Sequence, residues 1–249
     1  MRRKCYARVV EMRACFIDGH VSGSHSDKIT AMNEIIQKIA VYALPVLFAV
    51  TLHEVAHAYA AKYFGDLTAY SQGRMSLNPI KHIDPFGTIL IPLLLALVGS
   101  PFLFGYAKPV PIDFSQLRQP KKDMAWVALA GPMANFVMGL MWMVLFFVLD
   151  AADIDEAYFY EVARAGVEFN LMLFAFNLFP LPPFDGGRIL TSVLPNRYAF
   201  RFARIEPYGL FIVIGLMLLK LLNYWMVPVI TIAYGLLNIL ISPLKFLLT

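Results

Sequence analysis

The chain has 249 residues, 59% of them hydrophobic and 15% charged, with mean hydropathy +0.63 and a formal net charge of +4. Soluble domains average about 45–50% apolar and about 25% charged, so this composition excludes a soluble globular domain and places the chain in a bilayer. The charge excess is small and forms no long basic run, which excludes nucleic acid as a partner; the basic residues read as topology signals beside membrane spans.

The opening "MRRKCYARVVEMRACFIDGH" is basic, but no apolar stretch of the length a cleavable signal needs follows it. Cys5 and Cys15 are the only cysteines, and their spacing is neither a disulfide framework nor a zinc knuckle. "DGHVSGSHSD" reads as linker and Met32 as a natural start. The expected division is a disordered basic N-terminal tail over 1–31 and a membrane-embedded domain over 32–249.

Apolar stretches follow at Ile35–Phe64, Phe86–Phe104, Met124–Leu149, Val162–Phe179, Tyr208–Leu222 and Trp225–Leu248. A crossing helix needs about 20 residues; the first, third and sixth are long enough, and the fourth and fifth borrow their flanks. "GSP" at Gly99–Pro101 interrupts the second. The loops "GYAKPVPIDFSQLRQPKKD" and "PNRYAFRFARIEP" are basic, while "DAADIDEAYFYE" is acidic. The expected fold is an all-α polytopic membrane protein with about five spanning helices, one re-entrant or short membrane element and a small extended edge segment.

The first stretch carries "TLHEVAHAYAA" from Thr51. On a helix, His53 and His57 are four positions apart and share one face, so both imidazoles can reach one metal ion. Glu54 is rotated by about 100° and can approach a water activated by that ion without being a ligand. Such a short motif arises by chance in soluble helices. Inside a span the weighing changes, because a charge at mid-bilayer costs roughly 2.5–3.5 kcal/mol and ionisable groups there are usually paired and functional. With no lysine or arginine near His53, Glu54 and His57 in the helix, a cation is the better partner.

Catalytic zinc takes three protein ligands and leaves one position open. "FNLFPLPPFDGGRIL" supplies a third at Asp185. A helix cannot continue through Pro180, Pro182 and Pro183, and irregular backbone at membrane depth is tolerated only where it is buried in protein or lines a wet cavity. The plain alternative is that Asp185 caps the helix that follows. His82 and Asp84 in "KHIDP" are rival ligands in a loop of ordinary turn chemistry.

"HEVAH" within a span and "NLFPLPPFDGG" ending a later one together resemble the site-2 protease family of intramembrane zinc metalloproteases. Its signature couples H-E-x-x-H to N-x-x-P-x-P-x-x-D-G, here Asn177, Pro180, Pro182, Asp185 and Gly186. "ALAGPMANF", with Gly131, Pro132 and Asn135, is similar to that family's intervening helix, and "FGYAKPVPIDF" to its short bacterial branch without a PDZ domain. The resemblance runs from Ile35 to the C-terminus, with Phe184 where leucine is usual. It implies that His53, His57 and Asp185 bind one Zn2+ per chain while Glu54 activates the water. The implied substrates are membrane-spanning proteins or peptides, such as anti-sigma factors or remnant signal peptides. Asn177 is assigned a hydrogen bond to the oxyanion or substrate backbone, Asn170 a bond between helices, and Asn135 a packing role.

One zinc requires the end of the first span and the start of Pro180–Glu206 to share a side. Both loops flanking the Met124–Leu149 and Val162–Phe179 hairpin on that side are basic, hence cytoplasmic in a plasma membrane. It follows that Phe86–Phe104 re-enters rather than crosses. Pro109 and Pro111 blank one hydrogen-bonding edge of an extended "AKPVPID" and leave Val110 and Ile112 to receive an unwound substrate strand. The competing function is a transporter or ion pathway that uses the same histidines and glutamate as a relay.

Overall fold

The structure, a computed structural model, describes residues 25–81, 84, 90 and 108–248. Its helices are α1 His25–Phe64, α2 Thr68–Ser71, α3 Pro120–Ala151, α4 Ala157–Asn177, α5 Asp185–Val193, α6 Asn196–Ala203, α7 Gly209–Leu218 and α8 Asn223–Leu248. Short 3-10 turns lie at Pro79–Lys81, Phe114–Gln116 and Glu206–Tyr208. No strand occurs among the described residues. α1 starts at His25, ahead of Met32; residues 1–24 of the expected tail lie outside the described residues, as do His82 and the expected re-entrant element 86–104 except Leu90.

Among the described residues, three stretches are long and apolar enough to cross a membrane: Ile36–Phe64, Pro120–Ala151 and Asn223–Phe246. α4, with 21 residues, is about 31 Å long and so matches the hydrocarbon thickness, although it carries Glu161, Arg164 and Glu168. α7 has 10 residues, about 15 Å, and cannot cross alone. The span expected over Tyr208–Leu222 is therefore not one continuous helix. Leu219 ends α7, and Lys220 takes a positive φ of 57° as the chain turns into α8.

The bundle is apolar outside, and small or polar residues recur on the inward faces of α1 and α3. On α3 the exposed stripe is Met133, Val137, Met141, Leu145 and Val148, whereas Gly131, Asn135 and Gly139, four residues apart, face inward. On α1 the buried stripe runs Pro45, Ala49, His53, His57, Ala61 at the same spacing. Small residues let helix backbones approach closely where lipid supplies no hydrophobic drive between them. α8 closes the far side, packing Ala233, Leu237 and Ile241 against Met143 of α3 and Val167 and Leu171 of α4.

Two hydrogen bonds set the helix directions. The Arg118 N–H donates to Phe64 O at 3.0 Å, bringing the end of α1 to the start of α3. The Tyr158 hydroxyl donates to Ala40 O at 3.2 Å, bringing the early part of α1 to the start of α4. The end of α1, the start of α3 and the end of α4 thus share one end of the bundle. The Arg74 guanidinium donates to Lys81 O and Lys108 O, so both flanks of the 82–107 segment are held at that same end.

Residues 108–113 cross α1 as an extended strap. Val110 is buried with Ala58 and Ala69, and its N–H donates to Glu54 Oε2 at 2.7 Å. The open edge expected here for a substrate strand is therefore already taken at Val110, because a carboxylate has claimed its donor. At the strap's end, Asp113 accepts from the Ser115 hydroxyl, the Gln116 side chain and the Ser115 N–H, which together hold its carboxyl below the usual range.

Close packing between α3 and α4 is testable at Gly166, where an added Cβ would lie 2.3 Å from the Trp142 ring. Gly166→Val is expected to destabilise the bundle by about 1–3 kcal/mol through overpacking, read as a lower thermal midpoint in detergent.

Candidate metal centre

His53 and His57 project from consecutive turns of α1 and are 8% and 7% exposed. Their Nε2 atoms lie 3.0 Å apart, and Asp185 Oδ2 is 3.3 Å from each. Asp185 reaches them because α4 stops at Asn177, three residues before Pro180, which cannot extend a helix. The chain then folds into a short turn closed by Leu181 N–H to Phe179 O and Phe184 N–H to Leu181 O. The rings of Phe176, Phe179 and Trp225 pack around this turn. The backbone of Gly186 and Gly187 lies so close that a Cβ would sit 2.2 Å from Leu178 O or 2.3 Å from Leu181 C. Asp185 is the first residue of α5, and no side-chain bond caps that helix. The capping alternative finds no support in this geometry.

The protonation pattern follows from the partners of the other ring nitrogens. His57 Nδ1 lies 2.7 Å from Val127 O, and a carbonyl oxygen only accepts, so Nδ1 carries the proton. His53 Nδ1 lies 2.6 Å from Asn135 Oδ1. The orientation of that amide is fixed in turn, since Asn135 Nδ2 donates to Ala49 O and Asn170 Oδ1, each at 3.1 Å. Asn170 Nδ2 donates to Gly166 O. Reversing Asn135 would set its oxygen against two acceptors. Both imidazoles therefore donate through Nδ1, and in their neutral form they turn bare Nε2 lone pairs toward each other and toward a carboxylate oxygen.

In that neutral form three lone pairs converge with no proton between them and repel one another, and Asp185 Oδ2 is a buried oxygen with no hydrogen-bond partner. A cation resolves the repulsion. Ligands about 2.0–2.1 Å from a tetrahedral zinc stand about 3.3 Å from one another, and the observed edges of 3.0, 3.3 and 3.3 Å suit such an ion. Among the described residues, His53, His57 and Asp185 are the group able to hold a metal. Gly131 leaves room for the two rings: a Cβ there would lie 2.3 Å from His57 Nε2 and 2.6 Å from His53 Cε1.

Of the other residues singled out in the sequence, Glu54 sits half-buried beside the triad, tied to Val110. Asn177 Nδ2 donates to Leu173 O in its own helix. Asp84 is half-buried and is not part of the metal-holding group. Asn170 makes the bond between helices expected of it. Asn135 does more than pack, since it orients a histidine. Its signal was an amide in an apolar helix one turn from Gly131, which reveals a buried partner but not which one.

Residues 41–168 and 156–220 match the sequence profile of peptidase family M50. The chain belongs to this family, that of the site-2 proteases. It is 35% identical over 192 residues to YwhC of Bacillus subtilis, covering 75% of this chain and 84% of that protein. It is 31% identical over 183 residues to Rip2 of Mycolicibacterium smegmatis, covering 72% and 67%. A more distant similarity, 25% identity over 161 residues, joins it to MJ0392 of Methanocaldococcus jannaschii, with 65% and 36% covered. All three names include the words zinc metalloprotease. No solved structure matches. This M50 protein is a membrane-embedded metalloprotease, and nothing in these similarities favours a transporter.

Removing the partner that orients a metal-binding histidine typically costs 10–100-fold in metal affinity. Asn135→Leu is expected to weaken zinc binding by roughly that factor in competition with a chelator, while Gly131→Ala removes binding by driving a methyl group into both imidazole rings. Unchanged affinity in both variants would contradict this account of the centre.

Proposed function

We propose that this M50 protein is an intramembrane zinc endopeptidase that cuts membrane-spanning helices, with residues 32–249 forming the metalloprotease domain. The observation that supports it most is the buried meeting of two Nδ1-protonated histidines with an orphaned carboxylate oxygen, on helices that belong in lipid. His53, His57 and Asp185 would hold the ion. When bound, zinc would polarise the scissile carbonyl and lower the pKa of a water from 15.7 to about 7.

The chain's own groups account for the proton. Glu54 takes it from the attacking water as oxygen adds to the carbonyl carbon, then returns it to the departing amine as the C–N bond breaks. Asn177 uses one Nδ2 N–H on Leu173 O and has a second to offer the substrate backbone or the oxyanion. The end of the bundle that holds the centre carries Lys121, Lys122, Arg188, Arg197 and Arg201, whereas Asp150, Asp153, Asp155 and Glu156 lie at the other. By the positive-inside rule the active site faces the cytoplasm of a plasma membrane. Substrates of regulated intramembrane proteolysis, such as anti-sigma factors or remnant signal peptides, suit a site placed there.

Reconstituted into liposomes with a transmembrane peptide, the wild-type protein should cleave and lose activity to a chelator, with zinc restoring it. Glu54→Gln should retain the metal yet lose about 10²–10⁴-fold in turnover, the usual contribution of general acid–base catalysis. A purified protein that binds no metal, or a Glu54→Gln form that cleaves at the wild-type rate, would sink the reading.

A further inference from the structure

The strap over α1 meets the catalytic glutamate at one donor only. Pro109 and Pro111 have no N–H, so the Val110 N–H stands alone between them, and it is this group that reaches Glu54 Oε2 at 2.7 Å. Sliding the strap by one residue either way would present a proline, so a one-residue slip loses the contact. A hydrogen bond from N–H to a carboxylate is charge-assisted and about twice as strong as a neutral one. A glutamate side chain otherwise has substantial rotamer freedom to lose.

Two side chains outside the metal centre hold this register. Asp66, 1% exposed, sits just past the end of α1. Its Oδ2 accepts the Asp113 N–H at 2.8 Å and its Oδ1 accepts the Thr68 N–H at 2.8 Å. At the other end, Arg74 donates through Nη2 to Lys108 O and Pro109 O at 3.2 and 3.5 Å, and through Nη1 to Lys81 O at 2.6 Å. Between these anchors Val110 is buried against Ala58 and Ala69.

We propose that Asp66 and Arg74 are positioning residues for Glu54: by pinning the two ends of the 108–113 strap, they hold the Val110 N–H against one carboxylate oxygen and leave the other to take the proton of the attacking water. This rests on the hydrolytic reading above and adds to it that the base is aimed by a loop rather than by α1 alone. The Val110 N–H serves the enzyme's own carboxylate and so is not free for a substrate strand.

The test uses the full chain in liposomes, with zinc content, KM and kcat measured on a transmembrane peptide. Hydrogen exchange is followed in parallel over the 108–118 segment. Asp66→Asn, Arg74→Ala and Val110→Pro are expected to bind wild-type amounts of zinc and keep KM, while kcat per bound zinc falls about 10-fold or more, as small misplacements of catalytic groups do. Exchange over the strap should quicken in Asp66→Asn and Arg74→Ala. Arg74→Lys should recover part of the loss, and Val110→Ala, which keeps the N–H, should lose less than Val110→Pro. A purely structural role would instead lower zinc content and thermal midpoint together and leave kcat per bound zinc unchanged, which overturns the proposal. A rise in kcat overturns it too, since the strap would then restrain the base rather than aim it. Wild-type protein inert on the peptide and free of zinc would bring down the hydrolytic reading, and this inference with it; an active wild type matched by its strap variants would bring down the inference alone.

Discussion

Everything in this molecule turns on three side-chain atoms that the fold forces together inside the helix bundle. His53 and His57 each commit a proton to an acceptor on another helix, Asn135 Oδ1 and Val127 O, so that each neutral ring turns a lone pair toward the other. Asp185 adds a carboxylate oxygen to the same point. In water such a cluster would loosen and hydrate. Held between helices, it requires a cation or protons, and the hydrogen bonds at Nδ1 make it a place for a metal. The polar network that does this is complete: both Asn135 N–H groups and its oxygen are used, and Asn170 closes the chain onto Gly166 O. A satisfied buried network rigidifies its members, whereas a half-satisfied one is costly.

Close helix approach is what brings those partners within reach. The stripe Ala49, His53, His57, Ala61 on α1 faces Gly131 and Asn135 on α3, while Gly139, a turn further, packs against Leu171 of α4 and Leu237 of α8. Were either lined with leucine, the backbones would stand further apart, and Val127 O could not meet a ring from α1. Gly131 shows the limit most sharply, since even a methyl group there would occupy the space between the two imidazoles. The small residues are thus a condition for the candidate metal centre as well as a packing device, while Met133, Val137, Met141, Leu145 and Val148 of α3 point outward.

How much of this was legible in the sequence depends on whether local pattern or distant contact decides. His53 and His57 are placed by helical periodicity alone, and the break before Asp185 by Pro180, so their meeting could be expected from residue order. The all-helical character followed from the apolar runs. The count of crossings did not follow so well, because hydropathy over Tyr208–Leu222 does not report that Lys220 turns the chain after α7. Asn135 read as packing because no local rule says which ring an amide will face across two helices. Val110 was misjudged for a similar reason. The prolines showed that its N–H was singular but not that a carboxylate 56 positions away along the chain would claim it.

The position of that carboxylate explains why one helix carries so much. His53, Glu54 and His57 lie on α1, and Phe64 O and Asp66 at its end hold the segment that returns over it through Arg118 N–H and Asp113 N–H. From His53 to Phe64 is about 17 Å of helix, so a single rigid rod measures the distance between the metal centre and the anchor of the strap. A one-residue slip in α1 would rotate every one of these groups by about 100°, turning Glu54 toward the place of a ligand and carrying the strap's anchor away from Asp113. The histidine pair, the glutamate and the strap therefore share one register, and a change that loosens the end of α1 reaches the chemistry without touching a ligand.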